Sequence, residues 1–384
     1  MALVALFIVI LWLPLADSIL GLDPTPAREE RRQVSELPEL VSLDFPEDFG
    51  AFYRDHFGFR NSLILGHALL RFHLEGGNDM VAVGQDGWLF WRGEHRRASL
   101  NEAELEAWRS GLVAQRDWLA QRGCAYVLLV VPPKAVVYAD RLPASAGRAD
   151  RMLGLLAHIK ARSDIVVVDP TADLLQARAQ GQEVYLRYDQ HWNDHGAYIG
   201  YSALIAAVRD VLGDERMRAL PLEALKLDPR EMDNGTLLRM LGIEGTRVER
   251  FAYLVARSHY AHAEVRKNQP LAGKVWTAKP HRQPTVTITE HTDRSLPRAV
   301  VLHDSFLFPI RPWFSESFSR VYYIHQTTNL YPDIIDRERP RIVIQQLSRR
   351  LLDFPASSVL TPVRELQRHD RDRGRSVERV DDTD

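Results

Sequence analysis

The sequence of 384 residues contains a single cysteine and almost no net charge. Cys124 has no second cysteine to pair with, so an internal disulfide is excluded. The formal net charge of −2 lacks the basic surplus that marks a nucleic-acid-binding protein. With 45% hydrophobic and 26% charged residues, the chain is typical of a globular protein large enough for one or two domains.

The N-terminal segment lacks a long unbroken hydrophobic run. Residues 2–16 are apolar apart from Pro14, and apolar residues resume after Asp17. The run is short for a membrane span, which needs about 20 residues, and it lacks the basic region of a secretory signal. We nevertheless expect residues 1–22 to be an export signal or membrane anchor, because residues 23–44, rich in Pro, Glu and Arg, follow as a linker. A buried core helix fits this position less well.

Beyond the linker, short apolar runs alternate with helical stretches. Runs without polar alternation predict parallel strands that are buried on both faces of a sheet. The predicted strands are 125–131, 164–168, 299–302, 321–324 and 341–344. We therefore expect an α/β domain over residues 45–353 with a mainly parallel five-stranded sheet.

Three other segments do not follow this alternation. A β-hairpin is predicted at 81–91, where Asp86-Gly87 supplies the turn. Residues from about 213 to 298 are polar and contain proline, with a β-like run at 285–289, and we interpret them as an insertion. The segment 354–384 ends in an almost wholly charged run and is expected to be a disordered tail.

Polar chemistry concentrates between Asp189 and His195, where an extended run meets an amphipathic helix. Asp189 and His191 are two residues apart and point to the same side of an extended segment, as an orienting carboxylate and a base would. Alternatively, His191, His195 and an Asp could bind a metal ion, although His191 lies outside the helix that Asn193 or Asp194 would cap. A capped helix with solvated histidines is the simplest interpretation, unless a nucleophile lies elsewhere.

A serine stands where a parallel sheet places its functional site. Such sites lie at the carboxyl ends of the strands. Ser305 directly follows the predicted strand 299–302 and precedes a helical stretch, whose first N–H groups could stabilise an oxyanion. A serine that only caps the helix is the alternative.

Short motifs occur in a fixed order along most of the chain, from the leader to about Leu352. They include Tyr-Asp-Gln-His-Trp at 188–192 and His-Asp-Ser-Phe at 303–306, together with 53–60, 86–90, 131–134 with Tyr138, 235–240 and 339–344. No single motif is strong, but their order and spacing are specific. The chain resembles the SGNH-hydrolase-like family of alginate O-acetyltransferases, the AlgX/AlgJ type.

The resemblance implies an SGNH-hydrolase-like α/β/α sandwich in which the Asp-His pair precedes the serine, the reverse of ordinary SGNH esterases. It implies Ser305, His191 and Asp189 as catalytic residues, with no cofactor and no metal ion. His191, held by Asp189, would take the proton of Ser305 as the serine attacks an acetyl donor. A sugar hydroxyl would then attack the acyl-serine.

The resemblance also implies partners and a location. The acceptor would be an alginate-like exopolysaccharide, and a membrane-embedded acyltransferase would deliver the acetyl groups. The expected location is the periplasmic side of the inner membrane, where segment 1–22 anchors or releases the protein. No separate carbohydrate module is visible, which suits the AlgJ-like arrangement. A carbohydrate acetylesterase with the same triad and a non-catalytic scaffold of an export complex are the alternatives.

Two features depart from the family pattern. His303 stands where members often carry glycine, which could alter the turn or the oxyanion pocket. Ser305 N–H is the one oxyanion donor that can be named. Weaker candidates for substrate contact are Trp192, Tyr323, Gln345 and Arg349, and Trp88, Trp91 and Trp313 are further surfaces on which a sugar could stack.

Overall fold

Parallel strands between helices organise most of the chain. A computed structural model describes residues 2–25, 35–39, 44–94, 99–143, 146, 150–258, 261–270, 284–325 and 328–378. The helices are α1 (Ala2–Leu20), α2 (Phe45–Asp55), α3 (Arg60–Leu70), α4 (Glu102–Ala120), α5 (Lys134–Val137), α6 (Asp150–Arg162), α7 (Thr171–Ala179), α8 (Asp194–Leu212), α9 (Thr236–Leu241), α10 (Ile310–Ser315), α11 (Pro332–Glu338), α12 (Ala356–Val359) and α13 (Val363–Glu378). The strands are β1 (Val81–Val83), β2 (Leu89–Trp91), β3 (Ala125–Val130), β4 (Val166–Val168), β5 (Leu225–Met232), β6 (Glu249–Ala256), β7 (Ala263–Pro270), β8 (Thr285–His291), β9 (Arg298–His303), β10 (Arg320–His325) and β11 (Ile342–Leu347).

The main sheet has seven strands in the order β4-β3-β11-β9-β10-β8-β7. The five predicted strands, β4, β3, β11, β9 and β10, are all present and parallel to one another. The expectation of a five-stranded sheet was wrong, because β8 and β7 extend it in antiparallel pairing. Both come from the region interpreted as an insertion, where the β-like run of β8 could be recognised but its pairing with β10 could not.

Side chains of the parallel strands alternate between the two faces of the sheet. In β3, Val127 and Leu129 belong to one hydrophobic cluster, whereas Leu128 and Val130 belong to a second. Because strand side chains alternate with a period of two, each face needs its own layer of helices. The first cluster contains residues of α7, α8 and α10, and the second contains residues of α4, α6 and α11. The arrangement is therefore an α/β/α sandwich.

The two longest covering helices are amphipathic. Helix α8 buries Ala197, Tyr201, Leu204, Ile205 and Val208, and α4 buries Trp108, Leu112, Trp118 and Leu119. These positions recur three or four residues apart and form one face of each helix. Each fully buried aliphatic side chain contributes about 1.5–3 kcal/mol, so this burial fixes the helices on the sheet. Helix α4 begins with a capping box of Asn101 and Glu104.

The described residues divide between two compact units, Met1–Val81 with Asp233–Arg247 and Ala82–Met232 with Val248–Asp384. In the smaller unit, α1 is long and apolar enough to cross a membrane, with a mean hydropathy of 2.5 over Leu3–Leu20. Asp17 in α1 accepts the Phe59 N–H at 2.7 Å. The smaller unit includes residues 45–81, and the predicted domain bounds 45–353 remain a prediction. The predicted leader at 1–22 remains a prediction.

The structure also describes the hairpin and the insertion that the sequence predicted. The hairpin at 81–91 is present as β1 and β2. The predicted insertion contains the separate hairpin β5–β6 as well as the main-sheet strands β7 and β8. Much of the predicted linker lies outside the described residues.

The charged C-terminal tail is not disordered throughout, because α13 forms within it. Leu366 is buried, and Asp370 accepts from the Trp118 indole at 3.2 Å and from Arg122. His369 is bonded to Asp336 at 2.6 Å. A few anchoring contacts therefore order a segment that composition alone assigns to solvent.

Candidate functional site

A narrow loop before α8 carries Asp189 and His191. Its two sides are joined by hydrogen bonds from Leu186 N–H to His191 O at 3.1 Å and from Asn193 N–H to Val184 O at 3.2 Å. The Asn193 side chain caps α8 by accepting Gly196 N–H at 3.0 Å. A Cβ at Gly196 would lie 2.1 Å from the Val184 carbonyl oxygen, so this close approach of helix and loop requires glycine.

One carboxylate oxygen fixes both the backbone and the ring of His191. Asp189 Oδ1 accepts from His191 N–H at 3.0 Å and lies 2.6 Å from His191 Nδ1. An ionised carboxylate can only accept, so Nδ1 carries the proton and Nε2 of the neutral ring is an acceptor. Asp189 itself is buried. The ring is thereby held in one tautomer and one orientation.

Ser305 follows the carboxyl end of β9, which lies in the middle of the sheet. Its Oγ lies 2.7 Å from His191 Nε2, although the two residues are 114 positions apart in the sequence. Asp304 holds the turn, since its Oδ1 accepts Phe306 N–H at 3.0 Å and its Oδ2 accepts from Ser348 Oγ. Asp304 N–H also donates to Gln346 Oε1 at 2.8 Å. Asp304 thus holds the short turn on which Ser305 sits.

The three predicted residues therefore lie together. Asp189, His191 and Ser305 form a continuous chain of hydrogen bonds within the distances that proton transfer requires. In chemical terms, this is a hydroxyl beside a base that is oriented by a carboxylate.

A cavity of about 50 Å³ opens beside Ser305. Its walls are formed in part by the segments that follow β3 and β11 in the chain. In the sheet, β11 lies next to β9, and β3 lies on the other side of β11. The lining residues are Trp91, Glu94, Val131, Pro132, Pro133, Gln190, Asp304, Ser305, Phe306, Ser348, Arg349 and Arg350. The cavity gives a small substrate group access to the serine.

Glu94 is a residue of this cavity that the sequence did not indicate. Burial raises its pKa to about 7, although Lys134 and Arg349 and a bond from Ala135 N–H oppose the shift. Near neutral pH the wall therefore contains a carboxyl group that still holds a proton part of the time. The sequence offered no signal for Glu94, because its burial depends on contacts made by distant segments.

The tentative substrate contacts are mostly core residues. Trp192 is 1% exposed, and its indole donates to Phe306 O at 2.8 Å, so it supports the serine turn and offers no stacking surface. Tyr323 is buried and bonded to Ser315 Oγ at 2.8 Å, and Gln345 is buried and accepts from Tyr126 at 2.8 Å. Arg349 is the one of the four that lines the cavity. Strand ends identified the right region but not which side chains face it.

Of the other tryptophans proposed as stacking surfaces, Trp91 lines the cavity. Trp88 and Trp313 are buried in the core, and Trp88 stacks on Tyr138 with ring centroids 4.1 Å apart. Aromatic residues beside a hairpin turn are more often core, and the structure follows that tendency for Trp88.

Two further histidines lie close to the site in sequence. His195 is bonded to Gln182 Oε1 at 2.7 Å. His303 is buried, its Nδ1 lies 2.6 Å from Asp304 O, and its ring packs against Phe308 and His325. Burial lowers the pKa of His303 well below its ordinary value, so its ring is neutral.

The part of the chain that the structure describes contains no cluster of side chains that could bind a metal ion. There, no group of three or more His, Cys, Asp or Glu side chains is placed to hold a metal ion. His191 is instead engaged through both ring nitrogens, by Asp189 and Ser305.

The family comparison agrees with the α/β fold. Residues 81–275, just over half of the 384 residues, match the model of the SGNH hydrolase-like domain, acetyltransferase AlgX. The match contains Asp189 and His191 and ends before Ser305. A curated relative, the probable alginate O-acetylase AlgJ of Pseudomonas putida, is 36% identical over 137 residues. That similarity covers 34% of this chain and 34% of the relative, about a third of its length.

Solved structures share the fold at low sequence identity. The Bacillus cereus protein PatB1, solved with a sulfonyl adduct, has a TM-score of 0.54 at 15% identity and covers 72% of this chain and 95% of its own. A DHHW family protein from Eubacterium siraeum has a TM-score of 0.51 at 16% identity and covers 75% of this chain and 94% of its own. By its match over more than half of its length, the chain belongs to the AlgX family of SGNH hydrolase-like domains.

Proposed function

We propose that the protein is an O-acetyltransferase that moves an acetyl group through an acyl-serine onto hydroxyls of an alginate-like exopolysaccharide. The observation that carries the proposal is the hydrogen-bond chain from Asp189 through His191 to Ser305 beside an open cavity. The name of the Pseudomonas putida relative, a probable alginate O-acetylase, supports acetyl as the transferred group and an alginate-like polymer as the acceptor.

The first half-reaction forms the acyl-serine. Ser305 Oγ attacks the acetyl carbonyl while His191 Nε2 takes the hydroxyl proton, and Asp189 stabilises the resulting imidazolium. The backbone N–H of Ser305 is the donor that we assign to the oxyanion. When the tetrahedral intermediate collapses, the donor's leaving group departs with the proton from His191. The products are acetyl-Ser305 and the deacetylated donor.

The second half-reaction reverses the first with a new nucleophile. A sugar hydroxyl gives its proton to His191 Nε2 and attacks the acetyl-serine carbonyl. The bond to Ser305 Oγ then breaks, and the serine recovers the proton from His191. The acetylated sugar leaves, and the enzyme returns to its starting state without any net proton change.

Transfer must compete with hydrolysis, because water can attack the same acyl-serine. A hydroxyl held in line experiences an effective molarity of about 10⁵ M or more, which exceeds that of bulk water. The cavity is narrow and partly apolar, with Pro132, Pro133 and Phe306 in its wall. We assign Trp91 and Arg349 in the same wall to acceptor binding. A carbohydrate acetylesterase would use the same three residues with water as the acceptor.

The proposed setting is the periplasmic side of the inner membrane. Helix α1, with its apolar window Leu3–Leu20, is the segment that we assign as anchor or export signal. A membrane-embedded acyltransferase would supply the acetyl group. A reporter fused to the C-terminus is expected to be active only outside the cytoplasm, and activity confined to the cytosol would contradict the location.

The activity is tested with purified protein, a chromogenic acetyl ester and oligosaccharides of candidate polymers. We expect acetylated sugar with the native chain and none with Ser305→Ala. Ser319→Ala, a buried serine bonded to Pro297 O at 3.2 Å, is the matched control and should retain transfer. Release of acetate with no acetylated sugar, together with deacetylation of a pre-acetylated polymer, would favour the esterase.

The proposal uses no metal ion. Exhaustive chelation is expected to leave transfer unchanged. Loss of activity on chelation, with stoichiometric zinc found by metal analysis, would instead support the alternative in which His191 and His195 bind a metal.

A further inference from the structure

Lys134 is a buried cation that contacts the loop of the candidate site. It begins α5, directly after the Pro132-Pro133 turn that follows β3, and is only 1% exposed. Its ammonium group donates to Leu89 O at 2.8 Å, Arg187 O at 2.8 Å and Asp189 O at 3.0 Å. All three ammonium protons therefore have backbone acceptors. Two of these acceptors belong to residues 187–189, which we call the 187–189 segment.

Glu249 holds the same segment by its N–H groups. It is the first residue of β6 and is 8% exposed. Its Oε1 accepts Arg187 N–H at 2.5 Å, and its Oε2 accepts Tyr188 N–H at 3.0 Å. The backbone of one three-residue segment is thus bonded by a buried cation through its carbonyls and by a buried anion through its amides.

Burying two opposite charges in this way is costly unless the geometry is good. Burial lowers the pKa of Lys134 and raises the pKa of Glu249, and the attraction between the two charges opposes both shifts. Apolar side chains of similar size would often stabilise a core as well or better. The charged groups instead fix the geometry of the 187–189 segment, because each of these hydrogen bonds has a defined direction. The Trp88 ring, whose centroid lies 4.9 Å from Lys134 Nζ, also favours the cation.

We propose that Lys134 and Glu249 are a positioning pair that holds the 187–189 segment so that Asp189 stays aimed at His191 Nδ1. The inference rests on the proposed function, since it acts through the residue assigned there as the orienting carboxylate. Neither residue of the pair lines the cavity at Ser305. They act through Asp189 and are not catalytic residues themselves.

A double-mutant cycle separates positioning from general support of the fold. Lys134→Met and Glu249→Gln are each expected to lower kcat about 10- to 100-fold, as is usual for outer partners of a catalytic group, with KM nearly unchanged. In an Asp189→Ala background the same substitutions should have no further effect on kcat, because the residue that they position is gone. Equal fold-losses in both backgrounds, or no loss in the native background, would overturn the pairing.

A matched control removes effects of destabilisation. Glu338 is comparably buried at the end of α11, and it accepts from Arg320 Nε at 2.8 Å and from Arg337 Nε at 3.2 Å, two partners outside the 187–189 segment. Glu338→Gln should leave kcat unchanged when the thermal midpoints of all variants are compared. A similar kcat loss in this control would show that any buried-charge defect lowers activity, and would overturn the specific role.

Two further measurements do not require the Lys134→Met variant. If Lys134→Met fails to fold, the nearly isosteric Glu249→Gln carries the cycle. In the native protein, the amide protons of Arg187 and Tyr188 are expected to exchange as slowly as those of β9, and fast exchange would contradict the clamp. Native-like transfer by Asp189→Ala would instead end the proposed function, a result that this cycle distinguishes from additive losses.

Discussion

The two loops that meet at the candidate site are held by different kinds of interaction. The turn 304–306 follows the central strand β9, and two uncharged side chains at the end of the adjoining β11, those of Gln346 and Ser348, bond to its Asp304. Gln346 accepts the Asp304 N–H, and Ser348 donates to the Asp304 carboxylate. These partners lie at neighbouring strand ends, so the sheet itself supplies them.

The loop that carries Asp189 and His191 lies between α7 and α8 instead of after a strand, and its Arg187 O accepts Leu89 N–H from β2 at 3.1 Å. Its backbone is held by Lys134 and Glu249, which lie 53 and 62 positions from Arg187 in the sequence. Parallel-sheet geometry therefore places the nucleophile, whereas buried charges from two remote elements place the orienting carboxylate.

The largest effect is expected where the two loops touch. Ser305→Ala removes the nucleophile and His191→Ala removes the base, so each should lower kcat by about 10⁴-fold or more. The double variant should be no worse than either single variant, because the two side chains act as one unit. Ester turnover and acetylated sugar are both measured. Residual transfer close to the native rate in either variant would break the link between the loops.

The second-largest loss of activity is expected from a substitution of Asp189, in the loop that Lys134 and Glu249 hold. Asp189→Asn keeps the shape of the side chain but removes the carboxylate that holds Nδ1–H, and kcat should fall about 10³- to 10⁴-fold. KM should change little, since the Asp189 side chain contacts His191 and not the cavity. A loss confined to KM would show that the residue binds substrate instead of orienting the base.

A smaller effect is expected for the support of the serine turn. Asp304→Ala removes the acceptors for both Phe306 N–H and Ser348 Oγ, and kcat should fall about 10- to 100-fold. Ser348→Ala removes one bond only and should cost about threefold to tenfold. Steady-state kinetics and thermal unfolding are compared for both. A larger loss in Ser348→Ala would mean that Ser348 acts on substrate and not through Asp304.

The smallest effect concerns stability as a function of pH. The pKa of Glu94 is raised from 4.5 to about 7 in the folded chain, so between these values the native state holds a proton that the unfolded state has lost. Stability from this group is therefore present below pH 4.5 and is lost as the pH rises through about 7. The loss is up to about 3 kcal/mol.

Glu94→Gln should flatten this part of the pH profile. Denaturant unfolding at several pH values compares the native chain with the variant. Since Gln cannot titrate, its free energy of unfolding should change less between mildly acidic and neutral pH. Parallel profiles for the two proteins would show that Glu94 is ionised throughout this range.

The parts of the molecule that follow a regular pattern could be predicted from the sequence. Apolar runs revealed the parallel strands because strands buried on both faces have no polar alternation. Ser305 followed from its position after one of them. Asp189 and His191 followed from polar residues concentrated before an amphipathic helix.

Features that depend on tertiary burial could not be predicted in this way. Trp192, Tyr323 and Gln345 stand at strand ends or beside the base, yet they face the core. Glu94 and Lys134 are charged residues whose burial results from packing by distant segments. Sequence position gives the edge of a sheet, but it does not give the direction of each side chain or its solvent exposure.

In the proposed mechanism, one acetyl group passes from the donor to Ser305 and then to a sugar. The direct test is a single-turnover pulse–chase with an isotopically labelled acetyl ester, quenched at successive times and analysed by peptide mass spectrometry. We expect label first on the peptide that contains Ser305, and then on the added oligosaccharide at the rate at which the peptide loses it. Label that never resides on Ser305, or that leaves as acetate at the same rate with and without sugar, would contradict the account.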